Sequence, residues 1–147
     1  MDTPISRLIE NKGNRIVSIS PDASVLEAAQ KMRDEKIGAI MVMEKNALVG
    51  IMSERDIMNR VVAEEKDPAA TLVQDVMTTR VSVINPRITV RDAMQIVTEK
   101  HLRHMPIVQN GELMGMLSSG DLTRSIVSEE EEYIETLFEY ISGSYPS

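Results

Sequence analysis

The stretch GIMSERD, Gly50 to Asp56, returns 65 residues later as GMLSSGD, Gly115 to Asp121. Each runs glycine, two apolar residues, serine, two variable positions and aspartate. Sliding the chain by the same 65 residues aligns 16–65 with 81–130 without a gap. Ile19 then meets Ile84, Pro21 meets Pro86, Val25 meets Val90, Ala28 meets Ala93 and Leu48 meets Leu113. Gapless register over such a length is the mark of a duplicated unit.

Each copy reads as strand, helix, strand, strand, helix. RIVSIS and RVSVIN are β-branched and stop at Pro21 and Pro86, a strand running into a turn. Ser24–Glu27 and Thr89–Asp92 have the spacing of capping boxes. Behind them Val25, Ala28, Ala29 and Met32 share one helical face, as do Val90, Ala93, Met94 and Val97. IGAIMVM with NALVGIM, and MPIVQ with GELMGML, read as hairpins that turn near Asn46 and Asn110-Gly111. A last helix begins near Ser53 or Ser118. The domain plan is a first motif at 1–66, a connector with one helical turn (LVQDVM) at 67–80, a second motif at 81–128 and a tail at 129–147. Units this small cannot each bury a full core, so the expected fold is α+β, with two β-α-β-β-α motifs packed by pseudo-twofold symmetry.

Composition narrows the function. With a net charge of −7, the chain lacks the clustered Lys and Arg that phosphate backbones require, so nucleic acid is not an expected partner. There is no cysteine, which removes disulfides, thiolate metal sites and thiol nucleophiles. The first ten residues are too polar for a signal peptide, and no apolar run approaches the roughly 18 residues of a membrane span. A cytoplasmic location without membrane attachment is expected. One Phe, three Tyr and eleven Met point to an aliphatic, methionine-filled core.

A duplicated unit closing on Gly-apolar-apolar-Ser-x-x-Asp resembles the cystathionine-β-synthase (CBS) domain pair. HLRHMPIV before the second hairpin, and VQDVMTTRVSVINPRITVRDAM leading into the second copy, strengthen the resemblance, which covers about residues 5–127. The chain is most similar to stand-alone proteins built from a single pair. The resemblance implies a sensor or regulatory module with clefts between the two motifs that bind AMP first, or ATP, NAD or S-adenosylmethionine, with no cofactor required. It also implies a homodimer and, beyond it, a regulated target protein.

Ser53 and Ser118 fall where N-caps belong, beside unpaired N–H groups and the positive end of a helix dipole, a place that favours phosphate. Asp56 and Asp121 lie in the first turn, and an ionised carboxylate suits the paired hydroxyls of a ribose, the role the resemblance gives them. Ser-x-x-Asp is equally a capping-box variant. The copies differ in their basic residues: Arg55 has Gly120 as counterpart, while Arg103 and His104 replace Gly38 and Ala39. With Ser53 and Ser118, these three residues are the candidate phosphate contacts, which makes the Asp121 cleft the better equipped. The plainer reading pairs Arg103 with nearby acids and packs His104 at a strand start. The resemblance places adenine against Ile16, Val17, Val81 and Ser82, with Ile40 and Met105 as apolar walls.

In the tail, Ile134, Leu137, Phe138 and Ile141 form an amphipathic stripe begun by acids and stopped at Gly143, suited to reinforcing a homodimer. No catalytic or metal site is expected. His101 and His104 lack a Glu-flanked zinc pattern, and no nucleophile with a poised base is present. The rival function is a dimeric scaffold or partner-protein regulator whose surface binds a partner protein and whose nucleotide clefts no longer function.

Overall fold

The computed structural model describes residues 2–13 and 15–142, with side chains through Glu131. The chain forms two compact units, Arg15–Val83 and Met1–Asn14 with Ile84–Ser147. In the Arg15–Val83 unit, β1 (Ser18–Ile19) lies parallel to β2 (Ala39–Glu44), which pairs antiparallel with β3 (Ala47–Ser53). Helix α2 (Val25–Glu35) joins β1 to β2, and α3 (Glu54–Ile57) passes into a wider π turn at Met58–Val62. The other unit holds α1 (Ile5–Lys12), α4 (Val90–Lys100), the antiparallel pair β4 (His104–Gln109) and β5 (Glu112–Ser118), and α5 (Ser119–Ser142).

The copies agree in fine detail. Both hairpins turn on two residues of positive φ, Lys45-Asn46 (51° and 65°) and Asn110-Gly111 (53° and 79°), the turn whose twist matches paired strands. The strand registers slip between Val42 and Met43 and between Ile107 and Val108, the same step of the repeat. Ser24 Oγ accepts the Glu27 N–H at 3.0 Å, and Thr89 with Asp92 closes a full capping box. Lys36 and His101, also counterparts, end their helices in the left-handed region.

Each core is completed by a segment from outside its repeat. Val25, Ala28, Ile40, Val42 and Met52 form one core, and their counterparts Val90, Ala93, Met105, Ile107 and Leu117 the other. The first also buries Val73, from the connector ahead of the second repeat; the second buries Ile5, from the segment ahead of the first. Val73 and Gln74 donate N–H bonds to the carbonyls of Ala23 and Pro21; Ile5 and Ser6 do the same to Ile88 and Pro86. The compact units therefore do not follow the sequence motifs, because the two lead-in segments are exchanged.

The glycines of the repeated phrase serve this exchange. A Cβ on Gly50 would lie 2.6 Å from Met77 Sδ and 3.0 Å from the Thr78 carbonyl; one on Gly115 would lie 3.2 Å from Ile9 Cδ1. The group that approaches the bare backbone is thus the lead-in segment itself.

Expectations change at the first strands and at the tail, while the connector's helical turn stands where it was expected. RIVSIS shrinks to the two residues of β1, and RVSVIN to a single bridge between Ile84 and Ile107. In the second copy Pro106 stands where the first has Met41, and proline has no N–H with which to lengthen the ladder past Ile84. The connector's helical turn is a short 3-10 turn, Val73–Asp75. The tail is not a separate helix begun by acids: α5 runs unbroken from Ser119 to Ser142, since neither Gly nor Pro interrupts it after Gly120. The side chains of Ile134, Leu137, Phe138 and Ile141, and all of Gly143, lie outside the described residues.

Gly50→Ala is expected to lower unfolding stability by about 1–3 kcal/mol, the usual cost of an overfilled core, because Thr78 is fixed by two backbone bonds with Ile51 and cannot retreat. Chemical denaturation measures it; a variant as stable as the parent would mean that the lead-in segment does not rest on this glycine.

Candidate functional site

In each unit the repeated phrase makes the corner where the last strand passes into a helix. The Ser53 N–H donates to Asp56 Oδ2 at 3.0 Å, and the Asp56 N–H donates to Ser53 Oγ at 3.2 Å. The corresponding bonds between Ser118 and Asp121 are 2.8 and 3.1 Å. These are reciprocal capping boxes, so the capping reading of Ser-x-x-Asp holds in both copies. The first helical amides are also engaged: Glu54 N–H donates to the Gly38 carbonyl and Ser119 N–H to that of Arg103. The expectation of unpaired N–H groups is thereby corrected, because the chain satisfies most of the first turn itself.

The two carboxylates meet different company. Among the described residues Asp56 adds only the Thr78 hydroxyl, at 3.3 and 3.4 Å from its two oxygens. Asp121 Oδ2 accepts from Lys12 Nζ at 2.9 Å, and its Oδ1 from Arg124 Nη2 at 2.6 Å. Lys12 Nζ also donates to the Met116 carbonyl at 2.9 Å, which seats it over β5. Partial burial pushes the Asp121 carboxyl up, but the Ser118 amide and the Lys12 ammonium outweigh it and hold the pKa below the ordinary 3.8.

The remaining expected residues fall into three groups. Arg55 is exposed in the first turn of α3, beside Ser53 and Asp56. Arg103 is exposed and His104 half-buried; His104 opens β4 directly opposite Ser118, so both stand at the Asp121 corner. Neither Arg55 nor Arg103 forms an ion pair with a described residue, and the plainer reading of Arg103 as an ion-pair partner finds no acid there. Ile16 is exposed, while Val17, Val81 and Ser82 are half-buried. Ile40 and Met105 are fully inside their cores, where their side chains pack against neighbouring core residues. Among the described residues no three His, Asp or Glu side chains group as metal ligands.

A cavity of about 580 Å³ adjoins Asp121 between α1 and α5, and Arg7, Lys12, Arg124, Ser125 and Ser128 help to line it. The Arg15–Val83 unit has a cavity of about 440 Å³ lined by Met32, Arg33, Lys36, Ile37, Glu54 and Ile57, among others, but not by Asp56. Sequence reading missed Lys12, Arg124 and Thr78. Arg124 was within reach of it as an i, i+3 partner of Asp121; Lys12 lies 109 residues away and left no local signal.

Residues 11–63 and 73–128 match the CBS domain. The chain is 32% identical over 97% of its length to the mitochondrial CBS domain-containing protein CBSX3 of Arabidopsis thaliana, covering 74% of that protein. It superposes on the crystal structure of the CBS domain NE2398 with a TM-score of 0.81, at 37% identity over 85% of this chain and 98% of the other. A CBS-domain protein of Burkholderia ambifaria, provisionally assigned to signal transduction, gives 0.82 at 30% identity over 86% and 95% of the two chains. The chain belongs to the CBS-domain family. No helix among the described residues is long and apolar enough to cross a membrane.

The depressed Asp121 pKa has a signed consequence. A carboxylate with a lowered native pKa adds stability above its unfolded value of about 3.8 and loses it as pH falls through the native value. Asp121→Asn is therefore expected to be less stable than the parent at pH 7, with the gap closing as the pH drops below about 4. Denaturation of both chains across that range checks it, and a gap independent of pH would show that the carboxylate charge is not stabilising.

Proposed function

We propose that the chain is a regulatory sensor that binds an adenosine-containing nucleotide at each strand-to-helix corner, AMP first, with ATP, NAD and S-adenosylmethionine as alternatives. One observation carries the reading: the same capped carboxylate stands at the same corner of both copies, fixed against the first turn of the helix that follows. Asp56 and Asp121 take the ribose hydroxyls. Ser53 and Arg55 at one corner, and Ser118, Arg103 and His104 at the other, face the phosphate. The backbone around Ile16, Val17, Val81 and Ser82 takes the adenine, and Ile40 and Met105 back it from within the cores. The role is to hold a ligand and report it to a cytoplasmic target protein; no catalytic group is assigned.

A homodimer belongs to the same proposal. It is supported by Met58 and Val62, 56% and 67% exposed on one face of the turn after α3, and by Val127, the repeat counterpart of Val62 and also exposed. A second reading, a dimeric scaffold without ligand, draws support from the Asp121 carboxylate, whose two oxygens already have partners.

Calorimetric titration with AMP, ATP, NAD and S-adenosylmethionine separates the two. The sensor reading expects binding, weakened in Asp56→Asn and Asp121→Asn by about tenfold or more per corner, the worth of a charged hydrogen bond. No binding by any of the four supports the scaffold. Light scattering at micromolar concentration is expected to give a dimer, and a monomer contradicts that part of the proposal.

A further inference from the structure

Helix α1 is pinned firmly along its first half and held at its far end by one side chain. The Val90 N–H donates to the Thr3 carbonyl at 2.8 Å, the Ile5 N–H to that of Ile88 at 2.9 Å and the Ser6 N–H to that of Pro86 at 3.0 Å. Ile5 and Ile9 are buried, whereas every residue from Glu10 to Gly13 is exposed. Among the described residues, this last turn makes side-chain hydrogen bonds only through Lys12 Nζ, to Asp121 Oδ2 and to the Met116 carbonyl, both at 2.9 Å. Gly13 then leaves the helix at φ 87°, with no atom within 4 Å of the place a Cβ would take. Eight residues are too few to hold a helix in water unaided, so the last turn depends on what Lys12 grips.

That grip competes with the diol assigned to the same carboxylate. A carboxylate has about four acceptor positions, two on each oxygen. Oδ2 accepts from the Ser118 amide and from Lys12, and Oδ1 from Arg124. Two neighbouring hydroxyls, one to each oxygen, find a free position on Oδ1 and none on Oδ2. The Ser118 amide is backbone inside the capping box and stays. Lys12 sits on a flexible stem and is the donor that yields.

We infer that Lys12 is a latch: a ligand diol on Asp121 detaches it and frees the last turn of α1, so that occupancy is reported through the N-terminal helix. The inference rests on reading Asp121 as the ribose site and adds how the signal leaves that site. The Asp56 corner is a contrast within the same chain. Its extra partner, Thr78, is tied to Ile51 by two backbone bonds of 2.8 and 3.0 Å and cannot swing away.

Amide hydrogen exchange, read residue by residue by NMR, tests the latch in the parent, Lys12→Met and Arg124→Gln. Without ligand, Lys12→Met is expected to exchange about two- to fivefold faster than the parent at Asn11–Gly13, the worth of a partly exposed ion pair. Arg124→Gln removes a cation from the same carboxylate, but one carried on α5 itself, and is expected to leave those amides no faster. Saturating AMP speeds them by a like factor in the parent and not in Lys12→Met, while Ile51 and Thr78 keep their protection. By reciprocity Lys12→Met, in an Asp56→Asn background that leaves one corner to read, binds AMP more tightly by about the same two- to fivefold. Lys12 is 43% exposed and its replacement carries little risk to folding, and the parent with AMP needs no substitution. AMP bound with α1 exchange unchanged, or Lys12→Met exchanging like the parent, overturns the latch. Weaker AMP binding by Lys12→Met also overturns it, by making Lys12 a ligand contact. No binding of AMP to the parent in calorimetry overturns the ribose reading beneath it, an outcome seen separately from the exchange rates.

Discussion

Neither repeat closes its own core, and that constraint shapes the rest of the molecule. Val73 and Ile5 arrive from outside the aligned repeats, each supplying an apolar plug to the copy it does not precede. Burying such a side chain is worth about 1.5–3 kcal/mol, a large share of a small unit's margin. The exchange needs a close approach to the final strand, and Gly50 and Gly115 permit it. The first residue of the repeated phrase thus belongs to assembly, while its serine and aspartate belong to the helix that follows.

The aspartates join these two levels. Each closes a capping box, which fixes the carboxylate against the first turn, and each also touches the incoming segment, through Thr78 in one unit and Lys12 in the other. Whatever contacts a carboxylate at either corner therefore acts on the segment that completes that unit. The duplicated geometry with unequal partners, a hydroxyl against two cations, gives two corners of one kind with different electrostatics.

Much of this was legible in the sequence because it is local. The turns at Lys45-Asn46 and Asn110-Gly111, the caps at Ser24 and Thr89, and the strand-to-helix corners all depend on residues within about four positions of each other. The first strands are shorter than their composition suggests, since β-branched residues record a tendency to pair and say nothing of whether a neighbour such as Pro106, beside Ile84, can donate. The crossing of the lead-in segments was hidden because Thr3-Pro4-Ile5 and Thr71-Leu72-Val73 share little beyond their threonine. Ile40 and Met105 look alike as core residue or ligand wall until packing decides. Lys12 was invisible for the same reason, its partner being set by the fold and not by spacing.

The central claim is that the two capped corners are ligand sites as well as helix starts. Backbone amide NMR of the intact chain, titrated with AMP, tests it most directly. The account predicts the largest shift changes at Ser53–Asp56 and Ser118–Asp121, with smaller ones along Val76–Thr78 and the last turn of α1. Saturable changes centred elsewhere, with both corners unmoved, would contradict it.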